Sequence, residues 1–217
     1  MIHGILLAVL LAPAGEETLR YNILSPGELS LGEAQFQASR KSGRWELEFT
    51  LDAPFPGFPV RDTVRTLATQ EFCAIESTKD SLHGKRVAKE KITFASQSGI
   101  ATRETIGGGK SEIPISGCAR DALTMFRYLR EELAKGRLPS PQTVFFGGPY
   151  QIRFQFGGTQ KIRINEELVD SDKVVALVKG PASDVSFDVY FARDETRTPL
   201  AVKVPLLFGV FSMEIVR

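Results

Sequence analysis

Cys73 and Cys118 are the only cysteines in the chain, and they stand 45 residues apart. In an oxidising compartment an isolated pair is expected to close a disulfide, and two buried free thiols are the alternative. A loop of that size is worth about 4 kcal/mol on a chain-entropy account. Together with the two histidines, His3 and His83, the pair is too sparse for a structural zinc site. His83 sits in His83-Gly84-Lys85-Arg86, where a base beside cations suggests nucleophilic or anion chemistry. A triad needs a positioned nucleophile as well, and no G-x-S-x-G elbow accompanies it. A solvated turn is the simpler reading. Lys85, Arg86, Lys89 and Lys91 then belong to a solvated strand face interrupted by Glu90.

Gly107-Gly108-Gly109-Lys110-Ser111 resembles the end of a phosphate-binding loop. The full motif needs glycine five residues before Gly109, and Glu104 is there. It also needs a following helix, whereas Pro114 disfavours helix at Ile113. A glycine hairpin fits better. Asp121, Asp194 and Glu195 carry carboxylates of the kind used in acid–base work, but Asp194-Glu195 lies in Arg193–Pro199, which reads as a polar turn. No catalytic residue is assigned on these patterns, no enzymatic activity is expected, and no cofactor, metal or nucleotide is expected.

The elements that must position these residues are mostly strands. In Arg44–Leu51, Trp45, Leu47, Phe49 and Leu51 alternate with polar residues, which gives one buried and one wet face. Ile152, Phe154 and Phe156 repeat the pattern, as do Val185, Phe187, Val189 and Phe191. Weaker strand signals cover 19–23, 33–38, 86–94, 161–164, 174–179, 200–204 and 210–216. Ser42-Gly43, Gly157-Gly158 and Gly180-Pro181 read as turns between strands, and Pro54-Phe55-Pro56-Gly57-Phe58-Pro59 reads as a loop. Connections this short imply hairpins, because a parallel crossover needs a dozen or more residues. One segment, Cys118 to Lys135, carries Ala119, Ala122, Leu123, Phe126, Leu129 and Leu133 at helical spacing, with Gly136 to cap it and Pro139 to stop it. Arg130 and Lys135 near its end would complement the helix dipole. The expected fold is mainly β: a curved antiparallel sheet or half-barrel with one amphipathic α-helix packed on it.

Ile5–Leu11 is an uninterrupted apolar run followed by Ala12-Pro13-Ala14. That is the pattern of a secretory signal peptide, although its start has His3 rather than Lys or Arg. Residues 1–14 are therefore expected to be removed and 15–217 to form a single β-rich domain, periplasmic or secreted. A buried first strand is the alternative. The run is too short to span a bilayer, no later stretch could do so, and no cysteine near the cleavage site offers a lipid anchor. With 27 Lys plus Arg against 26 Asp plus Glu, the net charge is +1, so no nucleic-acid partner is expected. Fifteen Phe, nineteen Gly and twelve Pro favour strands and turns over a helical bundle.

Three stretches carry a family likeness. Gly15-Glu16-Glu17-Thr18-Leu19-Arg20-Tyr21 with Gly32, Ala119-Arg120-Asp121-Ala122-Leu123 with Tyr128-Leu129-Arg130, and Phe191-Ala192-Arg193-Asp194 through Pro199 resemble a bacterial family known as domain of unknown function 3108. Phe191 stands where that family often has Trp. The resemblance implies an exported bacterial envelope protein of curved β architecture and brings no established activity. The layout is also similar to lipoprotein-carrier half-barrels, in which a curved sheet holds an apolar ligand, though fold alone does not fix function.

Three functions follow as expectations to be separated. The first is a binding or carrier module for a lipid or other apolar ligand, with a pocket formed by Trp45, Phe49, Leu123, Phe126, Leu129, Phe154, Phe187 and Phe191 and a flap at Phe55 and Phe58. The same residues packed solid are merely a core. The second is a structural or interaction protein of the envelope that pairs its strand edges with a partner protein. The third is a hydrolase; the shortage of His and Cys and the lack of a nucleophile elbow or metal cluster weigh against it, and a cleft with convergent carboxylates would favour it.

Overall fold

The computed structural model describes residues 16–55, 58–181 and 184–216. The proposed signal peptide, residues 1–14, lies outside them. The first run of strands comprises β1 (Glu17–Leu24), β2 (Ser30–Lys41), β3 (Arg44–Phe55), β4 (Phe58–Ala68), β5 (Ala74–His83), β6 (Arg86–Ala95), β7 (Ile100–Thr105) and β8 (Lys110–Pro114). A two-residue strand, β9 (Arg120–Asp121), leads into helix α1 (Ala122–Ala134). The chain continues through β10 (Gln142–Phe145), β11 (Pro149–Ile164), β12 (Glu167–Lys179), β13 (Asp184–Ala192), β14 (Pro199–Leu206) and β15 (Gly209–Ile215).

All fifteen strands join one sheet in the order β8-β7-β6-β5-β4-β3-β2-β1-β15-β14-β13-β12-β11-β10-β9. Neighbours are antiparallel except β9 and β10, which run parallel across the helical crossover. The two ends of the meander meet in its middle, where β1 lies beside β15 with Tyr21 opposite Ile215. The fold is thus mainly β, a curved antiparallel sheet with one helix against it.

The helix lies between the two halves of the sheet and packs on both. Leu123 joins Leu19, Tyr21, Phe36 and Leu47 of the first half. Leu129 and Leu133 meet Val174, Val189 and Phe191 of the second. Phe126 touches both groups, its ring centroid 5.9 Å from Phe36 and 6.2 Å from Phe191. Fully burying one leucine of this kind, such as Leu129 at 1% exposure, stabilises by about 2 kcal/mol relative to solvent.

Three sequence expectations need correction. The helix starts at Ala122 rather than Cys118, because Arg120 and Asp121 pair with Val144 and Phe145 as β9 and Asp121 takes an extended backbone as N-cap. Gly157-Gly158 is not a turn but a bulge inside a 16-residue β11, and Gly158 adopts φ +97, which a side chain would strain. Beyond it the β11–β12 hairpin bends, so that Ile162 and Ile164 join Tyr190, Ala192 and Ala201 in the main cluster. Phe156, beside the bulge, is left 55% exposed. The proline-rich run is not a free loop either. Pro54 stands opposite Pro59 in the β3–β4 hairpin, and residues 56–57 lie outside the described region. The Pro59 carbonyl turns outward to accept from Gly84 N at 2.8 Å, so the two prolines face each other where no ladder hydrogen bond is required.

Candidate functional site

Between α1 and the second half of the sheet lies an apolar groove of about 450 Å³. Met125, Phe126 and Leu129 form its helical wall, since residues three and four apart share a helix face. Ile152 and Phe154 of β11, Val178 of β12, and Phe187 and Val189 of β13 form its floor. Phe146, Tyr150 and Val185 stand at the end where β10 turns into β11 and β13 begins. No charged residue lines it.

Of the eight residues expected to make a pocket, Phe126, Leu129, Phe154 and Phe187 line this groove. The other four do not. Leu123 is buried against β1 to β4, and Phe49 packs beside that same cluster. Phe191 is 0% exposed beneath the helix as core. Trp45 stacks on Phe72 at 5.5 Å on the other side of the molecule. The curvature of the sheet places Trp45 and Phe49 across the helix from the groove, which period-two reading of a single strand does not reveal. Ile152 and Val185 lie on strand faces whose alternation marks them as apolar, whereas Met125, Phe146 and Tyr150 lie outside such patterns, the apolar Phe145-Phe146 before Gly147-Gly148 being the available signal.

On the opposite flank of α1 a charged cluster fastens the helix to the sheet. Arg130, 2% exposed, donates from Nη1 and Nη2 to the two carboxylate oxygens of Glu17 at 2.7 and 2.8 Å. Its Nε donates to the carbonyls of Thr196 and Arg197 at 3.2 and 3.1 Å. Arg127 adds a bond from Nη1 to Glu17 at 3.0 Å, and its guanidinium lies 5.1 Å from the Trp45 ring. Burial opposes ionisation of Glu17, but the hydrogen bonds and charge of Arg130, with the charge of Arg127, outweigh it and hold the carboxyl below the usual glutamate range. Arg130 therefore serves β1 and the β13–β14 turn rather than the helix dipole. That turn is closed by Asp194, which accepts from Thr198 N at 3.0 Å, and Tyr21 Oη donates to the Pro199 carbonyl at 3.1 Å.

The other end of the helix is anchored by Asp121. Its carboxylate accepts from Thr124 N at 2.9 Å and from the hydroxyl of Thr66 on β4. Thr124 Oγ1 accepts in return from Asp121 N at 2.8 Å, completing a capping box. So the opening of β1, the Asp121-to-Arg130 stretch and the late strand-turn-strand, remote in sequence, are bonded to one another around α1. These are the segments that carried the family resemblance. The family model described as "Protein of unknown function (DUF3108)" matches residues 18–216. The chain belongs to this family. In this DUF3108 protein the resembling residues thus build a structural anchor, and none of them lines the groove except Ala122 and Leu129.

No curated protein matches the sequence. Among solved structures the chain is similar to a crystal structure titled as a β-barrel-like protein of domain of unknown function DUF1849 from Brucella abortus, with TM-score 0.65 and 8% identity over 94% of this chain and 96% of that one. At that identity the likeness is one of fold.

The remaining candidates fall on turns and tie points. Cys73 and Cys118 are bonded, with Cα atoms 4.8 Å apart. The bond joins the β4–β5 turn to the segment entering β9, beside Ala74 N donating to the Ala119 carbonyl at 2.8 Å. His83 ends β5 and faces Asp62 at 3.1 Å, with no nucleophile in its hydrogen-bond set. Gly107 to Gly109 form the β7–β8 turn. Among the described residues no three His, Cys, Asp or Glu side chains converge as metal ligands, and no helix is long and apolar enough to cross a membrane.

Proposed function

We infer that this DUF3108 protein is a binding or carrier module for an apolar ligand, acting outside the cytoplasm and without catalysis. The observation that carries the reading is the groove beside α1: its volume falls in the range of small-molecule sites, and its lining is aliphatic and aromatic. A chain-like apolar ligand such as a fatty acyl group suits such a lining, because the lining carries no charge and the Tyr150 hydroxyl at one end is its single side-chain hydrogen-bonding group. Export agrees with the disulfide and with the apolar run at residues 5–11. The edge-pairing alternative is less well supported. The sheet's two edges are β8, five residues ending in Pro114, and β9, two residues, and both are short templates for a partner strand.

Uptake of a fluorescent fatty acid tests the reading. Val178→Trp places an indole in the groove and should lower affinity at least tenfold while the protein stays folded. Phe187→Ala should enlarge the groove and shift preference toward bulkier chains. Wild type that binds no such probe at any concentration ends the carrier reading. N-terminal sequencing of envelope-fraction protein tests export, and an intact Met1 in the cytosol contradicts it.

A further inference from the structure

The turns of the sheet fall into two sets, one at each end of the strands. The set formed by the β1–β2, β3–β4, β5–β6, β7–β8, β10–β11, β12–β13 and β14–β15 connections shares one end, because successive strands are antiparallel and β15 runs antiparallel to β1. Thirteen large apolar side chains among the described residues are exposed, and ten of them lie on these turns or within two residues of them. At the tips themselves are Leu29 (71%), Phe58 (54%), Ile106 (76%), Phe146 (47%), Leu207 (98%) and Phe208 (88%). The opposite end presents Ser42-Gly43, Ser96-Gln97-Ser98, Asn165-Glu166 and Arg193 to Thr196. A soluble surface scatters its exposed apolar residues, and crowding them on the tips of one end marks an interaction surface.

We propose that this apolar end docks on the surface of a phospholipid bilayer. Three features choose lipid over a protein partner. The apolar groups at the tips are spread over five separate turns, with Leu207 and Phe208 together on one of them, and so enter an interface side by side rather than form one flat patch. The charges beside them complement a headgroup layer: Lys85 and Arg86 on the β5–β6 turn have no carboxylate within ion-pair distance among the described residues, and Lys179 and Asp184 offset each other as cross-strand partners. Glu28 is the acidic group that remains on these tips. Third, Phe146 belongs to both features, exposed at the rim and lining the groove, so the groove opens at the docking end. The proposal relies on the carrier reading for what passes through that opening, while the docking itself does not.

Flotation with vesicles of phosphatidylcholine containing a minority of phosphatidylglycerol tests it, using protein isolated from cells that express the full chain. Wild type should float with the vesicles. L207S/F208S, altered at two exposed tips and expected to melt like wild type, should lose about tenfold or more in partitioning. Lys85→Glu/Arg86→Glu should weaken binding mainly to the anionic vesicles and at low salt. Equal flotation of wild type and L207S/F208S overturns the proposal. So does a tip-dependent dimer in sedimentation with no flotation, which would make a second copy the partner. Fatty-acid uptake in solution, measured on the same proteins, should be unchanged by L207S/F208S. Tip-dependent flotation by protein that takes up no fatty acid would establish the docking surface and sink the ligand reading alone.

Discussion

Arg130 and Glu17 bind three elements through one ion pair, so each is worth more to the fold than a surface pair would be. Glu17→Gln leaves a buried guanidinium short of its counter-charge and should cost about 3 kcal/mol in denaturant unfolding. The pair also sets an acid limit. The folded Glu17 pKa lies below its ordinary value of 4.5, so the unfolded state binds the extra proton as pH falls. Its contribution is complete above that ordinary value and is lost as pH drops through the folded value. Melting temperature against pH should fall more steeply below about pH 4.5 in wild type than in Glu17→Gln. The disulfide acts at the same scale. Beside it Phe72, 0% exposed, is held at φ 58, a conformation that a bulky residue adopts at a cost of about 1–3 kcal/mol. Reduction of Cys73–Cys118 should lower the melting temperature by about 10 °C. The cysteine pair was legible in the sequence because its partners admit one pairing. The Glu17–Arg130 pair was not, since any of many carboxylates could have met that arginine and only the folded topology selects one.

Among the elements, the helix and the strongly alternating strands were readable because their apolar residues keep one period. β4 and β5 were not. Their inward positions include Thr66 and Ser77, polar residues buried at 3% and 8%, which break the apolar alternation. Thr66 is there because it donates to the Asp121 carboxylate, with Ser77 Oγ 3.4 Å from its hydroxyl. The feature that hid the strand is the one that seats the helix. Asp121→Ala removes the N-cap and strands the Thr66 hydroxyl, at an expected cost of about 1–3 kcal/mol by chemical denaturation. Asp121→Asn should recover part of this, since it keeps the acceptor for Thr124 N. A similar gap explains the groove. The apolar period of a single helix or strand points to Phe126, Leu129, Phe154 and Phe187, while Trp45 and Phe49 lie across the helix from the groove because sheet curvature is a property of many strands together.

At the scale of the whole molecule, hairpin after hairpin forms between neighbours in sequence, and the exceptions are the helical crossover, the β8-to-β9 connection between the sheet's two edges, and the β1–β15 seam. Meander topology was anticipated from the short connections, but nothing in a single segment announces that β1 and β15 meet. Tyr21 opposite Ile215 and Val216 N donating to the Arg20 carbonyl at 2.8 Å close that seam. During synthesis this sets a clock. The ribosome releases β1 first and β15 last, so β1 waits with one row of amides and carbonyls unpaired until the final strand emerges. A nascent chain is most open to wrong partners in that interval, and a chain truncated before Gly209 never leaves it. Such a truncation should appear in the aggregated fraction, whereas a permuted chain that joins residue 216 to residue 16 and begins at the Gly107–Gly109 turn should make the seam early and remain dispersed.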